Sequence, residues 1–183
     1  MSRIPLLKPE AMDGEQRRVY EETLAKTGRA SGGPSIGYAY APGLWEANNG
    51  VSAYLESKSS LSPAQLRIAA LVTVRKWNSD FPWAAQARMG LAAGIDPKAV
   101  EAMNAKQQAS FADADDQAVH DVARELVESG TLSDASFASA SAKLGTRRLV
   151  DVVGCVGQFT KTAMMANVAG AVAPADAPSK LKS

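Results

Sequence analysis

The sequence predicts an all-α protein, a single-domain helical bundle. Three observations carry this expectation. Apolar residues recur at the three- and four-residue spacing of amphipathic helices through most of the chain. Capping residues and glycines punctuate those runs where helices start and stop. No stretch alternates apolar and polar residues as a half-buried strand does. At 183 residues the chain is long enough to bury a core without staples. The domain is expected over residues 1–170, followed by a disordered tail at 171–183. That tail is rich in Ala, Pro and Lys.

Met1–Pro9 reads as an extended arm, because Pro5 and Pro9 oppose helix while Ile4, Leu6 and Leu7 favour burial. In a helical oligomer such an arm would lie on a neighbouring subunit. Gly14–Lys26 reads as a polar amphipathic helix with Val19, Tyr20 and Leu24 as its apolar points. Gly28–Gly43 is the longest irregular stretch. It is glycine-rich but lacks the Lys-Ser/Thr ending of a phosphate loop and follows no strand. It reads as a loop over a pocket, its Tyr38 and Tyr40 seeking apolar surface. Leu44–Leu55 reads as a helix carrying Trp45.

The centre is LSPAQLRIAALVTVRKWNSDFPWAAQARMGLAAG, Leu61–Gly94. Ser62 caps, and Pro63 takes the first helical position, where a missing N–H costs nothing. Leu66, Ala69, Ala70, Thr73, Val74 and Trp77 then mark one apolar face. Asn78-Ser79-Asp80 ends that helix and offers caps for the next, which tolerates Pro82 only in its first turn. Gly94 suits a left-handed stop. The product is an antiparallel helix pair. A short helix follows from Asp96-Pro97 to about Ala105, and Asp115–Ser129 follows with a stripe from Ala118 to Val127. Ser133 caps a helix to Leu144, Gly145 ends it, and the last helix runs from Arg147 to Val168. Within that last helix, Gly154 and Gly157 are expected to let another backbone approach.

Composition excludes some functions. The net charge is +1, which gives no basic field for nucleic acid. No apolar run reaches the roughly 20 residues of a membrane span. Met1–Leu7 is too short for a signal peptide, so the expected location is cytoplasmic. One cysteine, Cys155, cannot close an intrachain disulfide and fits a reducing compartment. One His and one Cys fall short of a metal ligand set, so no metal is expected.

The central pattern resembles the carboxymuconolactone decarboxylase family, relatives of alkylhydroperoxidase D. So do the opening RIPLLKP, the FADADDQAV…AREL…LSDASF block and the late LVDVVGCVGQFT…AMMANV helix. The resemblance implies an alkylhydroperoxidase D-like bundle with the helix pair lining its pocket. It also implies a homo-oligomer, a trimer, hexamer or dimer, and chemistry without a cofactor. Peroxidase-type relatives use a glutamate, a C-x-x-C pair and a histidine; the aligned positions here are Arg67, Ser79, Pro82 and Gln86. Decarboxylase-type relatives show a glutamate before the shared tryptophan and a histidine after it; here Pro82 precedes Trp83 and Gln86 replaces the histidine. Gln158 stands where many relatives have tyrosine. The scaffold is kept and its proton-moving side chains are replaced.

Each candidate has two readings. Arg67 either grips a substrate carboxylate with its planar fork, or it pairs with a nearby acid or faces the surface. Gln86 and Gln158 either orient a ligand or pack helices, and neither titrates near neutrality. His120, the only histidine, is either a relocated acid/base or a boundary residue with one backbone hydrogen bond. Trp83, Trp45 and Tyr38 are pocket walls or core. Cys155 reads as a small buried hydrophobe, because the sequence supplies no base beside it. Two functions remain. One is a cofactor-free lyase or isomerase acting on a small anionic organic molecule, with His120 and Arg67 catalytic and Gln86, Trp83, Gln158, Trp45 and Tyr38 binding substrate. The other is a non-catalytic ligand-binding or structural member. A dithiol peroxidase needs two thiols and is rejected.

Overall fold

A computed structural model describes residues 2–182. A 3-10 turn at Pro9–Ala11 precedes eight helices. These are α1 (Gly14–Thr27), α2 (Ser35–Tyr38), α3 (Pro42–Ser57), α4 (Pro63–Lys76), α5 (Asp80–Ala92), α6 (Pro97–Asn104), α7 (Ala114–Ser129) and α8 (Asp134–Ala169). Among the described residues there is no strand.

The caps are local, and Ser62 and Ser133 cap as the sequence predicts. Ser62 and Gln65 form a reciprocal capping box on α4, and Asp13 and Gln16 form one on α1. Asp113 caps α7, which starts one residue before the expected Asp115. The expected stop at Gly145 is present as a break inside α8, with φ 72° and ψ 160°. Between α4 and α5, Asn78 turns the chain at φ 46°, a conformation that asparagine tolerates better than most residues. Ser79 makes no side-chain cap there; its hydroxyl donates 3.1 Å to the Ala163 carbonyl of α8.

Helix α4 is the axis of the bundle. It packs against α5, α7 and α8, and every residue from Gln65 to Arg75 is buried. The sequence suggests one apolar face; the structure buries all sides of this segment, as happens to a helix enclosed by neighbours. The main core lies around Ile68, Leu71, Val74, Trp83 and Val152. A second cluster, with Val19, Tyr38 and Trp45, joins the α1–α3 layer.

The N-terminal arm makes contacts within its own chain: Arg3 N–H donates 2.9 Å to the Ala169 carbonyl, and Tyr40 Oη donates 3.0 Å to the Pro5 carbonyl. Gly154 and Gly157 face outward, with nothing of this chain over them. Residues 171–182, expected as a disordered tail, run back over the α5–α6 edge with specific partners. Ser179 Oγ accepts from Trp83 Nε1 at 3.1 Å, and the Lys180 carbonyl accepts from Asn104 at 2.8 Å. Lys182 N–H donates 2.9 Å to Asn104 Oδ1. Composition misses these anchors because they reside on distant helices. Ending the chain at Asp176 leaves the Trp83 and Asn104 groups unpaired. We expect this truncation to cost about 2–4 kcal/mol in urea unfolding, from several hydrogen bonds at about 1 kcal/mol each.

Asp151 fastens α8 to the end of α3. Its carboxylate accepts from Tyr54 Oη, Ser60 N–H and Ser60 Oγ, each at 2.7 Å. Burial pushes this carboxyl upward, but the bonds from Ser60 and Tyr54 outweigh it, so the group sits below its ordinary range. A depressed carboxyl contributes stability above its unfolded pKa and loses it as pH falls through the folded value. Asp151→Asn is therefore expected to cost about 2 kcal/mol at pH 7. It should also flatten the fall in stability below about pH 4. Urea midpoints measured from pH 2 to 7 check both effects.

Candidate functional site

The positions aligned with the glutamate and histidine of the peroxidase-type relatives meet. Arg67 from α4 donates 3.0 Å through Nη1 to Gln86 Oε1 on α5. Gly90, one turn beyond Gln86, makes this approach possible. A Cβ there would stand 3.5 Å from Arg67 Cβ and 3.1 Å from Ile95 Cδ1. Arg67 is 5% exposed and Gln86 8% exposed.

A buried guanidinium needs a counter-charge. Glu56 at the end of α3 supplies it, accepting from Arg67 Nη2 with both carboxylate oxygens, one at 2.5 Å. The Glu56 side chain is 47% exposed, so the pair has one member inside the bundle and one in contact with water. Glu56 escapes a reading centred on the helix pair. Its signal lies in α3, where Asn48, Ser52 and Glu56 recur at i, i+4 and i+8. That polar stripe also receives Gln158, whose Nε2 donates 2.9 Å to both Asn48 Oδ1 and Ser52 Oγ. Arg67, Gln86 and Gln158 are thus all drawn to α3 or its partner.

Cys155 lies within electrostatic reach of this cluster. Burial pushes its thiol strongly upward; Arg67 opposes the shift and Glu56 reinforces it. The thiol therefore remains protonated at neutral pH and is no nucleophile. Its one polar contact is 3.6 Å to the Leu66 carbonyl.

The other candidates lie elsewhere. Trp83 is wholly buried in the main core with its Nε1 turned to Ser179. Trp45 and Tyr38 are in the second cluster, where Trp45 meets Tyr20 edge-on at 6.4 Å. The Tyr38 hydroxyl is buried with no contact of hydrogen-bonding geometry, and burial raises its pKa, partly offset by the nearby Thr162. His120 is 2% exposed and stacks on Phe111 with centroids 5.4 Å apart. Its Nδ1 is 2.9 Å from Asp121 Oδ1, which assigns Nδ1 as the donor and leaves Nε2 an acceptor when the ring is neutral. His120 borders a cavity whose lining includes neither Arg67 nor Gln86. Arg67 and His120, the two expected catalytic residues, therefore do not converge.

The Glu56–Arg67 pair has a measurable consequence. Glu56→Ala leaves a buried cation unmatched. Removing one partner of a fully buried pair costs about 3–5 kcal/mol, and the water around Glu56 reduces this to an expected 1–3 kcal/mol, roughly. Adding Arg67→Met should recover part of the loss. Urea unfolding of the four members of the cycle measures the coupling, and a coupling near zero contradicts this account.

No protein-family model matches the sequence, and no curated protein matches it. Solved structures do. One is described as an alkylhydroperoxidase AhpD core, an uncharacterized peroxidase-related protein from Ralstonia eutropha JMP134. It superposes with a TM-score of 0.79 at 16% identity, over 96% of this chain and 93% of that one. An uncharacterized peroxidase-related protein from Silicibacter sp. TM1040 gives 0.77 at 17% identity, over 98% and 94%. At such identities the likeness speaks for the backbone and leaves the chemistry to the side chains. This chain has the alkylhydroperoxidase AhpD-like fold.

Proposed function

We propose that this chain is a non-catalytic, ligand-binding member of its fold, in which the position used elsewhere for proton relay has become a structural ion pair. One observation carries the reading: the Arg67 guanidinium is already occupied by Glu56 and Gln86. A proton relay needs groups that titrate near working pH. A guanidinium and an amide do not. Peroxide reduction by a dithiol needs a second thiol, and the single thiol present is held protonated by burial.

A second reading has one observation in its favour. Glu56 is half in water, so a rotation of its side chain would free the Arg67 fork for a substrate carboxylate. The chain would then be a cofactor-free lyase or isomerase acting on a small organic anion.

One set of assays separates the two. The full chain is incubated with an organic hydroperoxide plus a dithiol reductant, and separately with the lactone acid of the decarboxylase-type relatives. The first reading expects background rates, unchanged by Gln86→Ala or Cys155→Ser. Turnover of the lactone acid above background that is abolished by Gln86→Ala or Arg67→Lys overturns it in favour of the second; hydroperoxide turnover abolished by Cys155→Ser overturns both.

A further inference from the structure

The cavity beside His120 has a chemistry of its own. It encloses about 240 Å³ between α4, α6 and α7. Ligand pockets for drug-sized molecules run from roughly 300 to 1,000 Å³, so this one suits a compact molecule. Its floor is apolar, made by Val72, Met103 and Val127. Four cations line it: Arg75 and Lys76 from α4, Lys106 from the connection after α6, and Arg124 from α7. Against them stands one carboxylate, Glu128.

The cations are not spoken for. Among the described residues, none of the four lies in an ion pair with a carboxylate. Arg75 is the notable case, because its side chain is buried. Among the described residues its guanidinium donates to neutral oxygens: the Asn104 carbonyl at 2.6 Å, the Lys182 carbonyl at 3.1 Å, and Asn78 Oδ1. Those bonds satisfy donors without matching the charge. Burial accordingly weakens its hold on its proton, with no acidic group opposing the shift. Lys106 stands at the rim of the same cavity as the left-handed residue that closes α6, with φ 57° and the Gln107 N–H donating 2.8 Å to the Ala102 carbonyl.

We propose that this cavity is a binding site for a small organic dianion, a compact dicarboxylate whose apolar body rests on Val72, Met103 and Val127. This deepens the ligand-binding reading above and rests on it. Arg75 supplies a fixed positive charge, its guanidinium held in place by Asn104, Asn78 and Lys182. Lys76, Lys106 and Arg124 supply mobile charges at the mouth. His120 walls the site.

The test titrates the full chain with phthalate by calorimetry, with sulfate and neutral dimethyl phthalate as comparisons. Lys106 and Arg124 are both exposed, so Lys106→Gln combined with Arg124→Gln is expected to leave the melting temperature of the free protein unchanged. Saturable phthalate binding, absent for the neutral diester and weakened about tenfold or more in the double variant, supports the proposal. Three results overturn it: no saturable binding at millimolar phthalate, sulfate binding as tightly as phthalate, or full affinity in the double variant. Affinity kept in the double variant but lost in Arg67→Met places the anion at the ion pair, and overturns the cavity while sparing the ligand-binding role. Turnover in the preceding assays, with phthalate binding still dependent on Lys106 and Arg124, refutes the non-catalytic reading and supports this site.

Discussion

Two arginines on a helix enclosed by its neighbours constrain this structure more than any other feature. Helix α4 buries everything from Gln65 to Arg75, so Arg67 and Arg75 both have to be satisfied inside the protein. An unpaired buried charge is costly enough that its partners become fixed parts of the fold. Arg67 fixes the end of α3 through Glu56 and fixes α5 through Gln86. Arg75 fixes the end of α6 and the last residues of the chain through two backbone carbonyls. Much of the outer layer is held by what α4 requires.

The two arginines are solved differently, and the difference separates structure from recognition. Arg67 receives a carboxylate, so its charge is matched and its fork is used. Among the described residues Arg75 receives only carbonyl and amide oxygens, so its hydrogen bonds are made without a carboxylate to match its charge. A leftover charge in a wall shared with Lys76, Lys106 and Arg124 attracts an anion. Glu128 alone does not offset the four. The same physical requirement thus closes one end of α4 and leaves the other end receptive.

The helices and their ends are legible in the sequence because the signals are local. Ser62 with Gln65, Asp13 with Gln16, and the glycine at 145 each act within a few residues. The pairing of Arg67 with Gln86 is also legible, since the helix pair brings the aligned positions together. The rest depends on contacts that spacing does not encode. Glu56 lies 11 residues from Arg67 across a helix boundary. Lys182 lies 107 residues from Arg75. Tail composition predicts disorder, yet Asn104 and Trp83 offer the tail partners. His120 is identifiable as the sole histidine, but only the α4–α7 packing shows that it borders the cationic cavity and stands apart from Arg67.

The position of Cys155 shows why the closed end of α4 is chemically quiet. A cysteine becomes reactive when a net positive field favours its thiolate. Arg67 alone would provide such a field, and its effect on Cys155 has the right sign. Burial is the largest influence, and it favours the thiol. Arg67 comes next and favours the thiolate, while Glu56 acts on the same thiol with the opposite sign. The carboxylate that makes Arg67 tolerable in the interior therefore also offsets part of the field that favours the thiolate of Cys155. Stability and thiol reactivity make opposite demands on Glu56, and in this chain Glu56 meets the first.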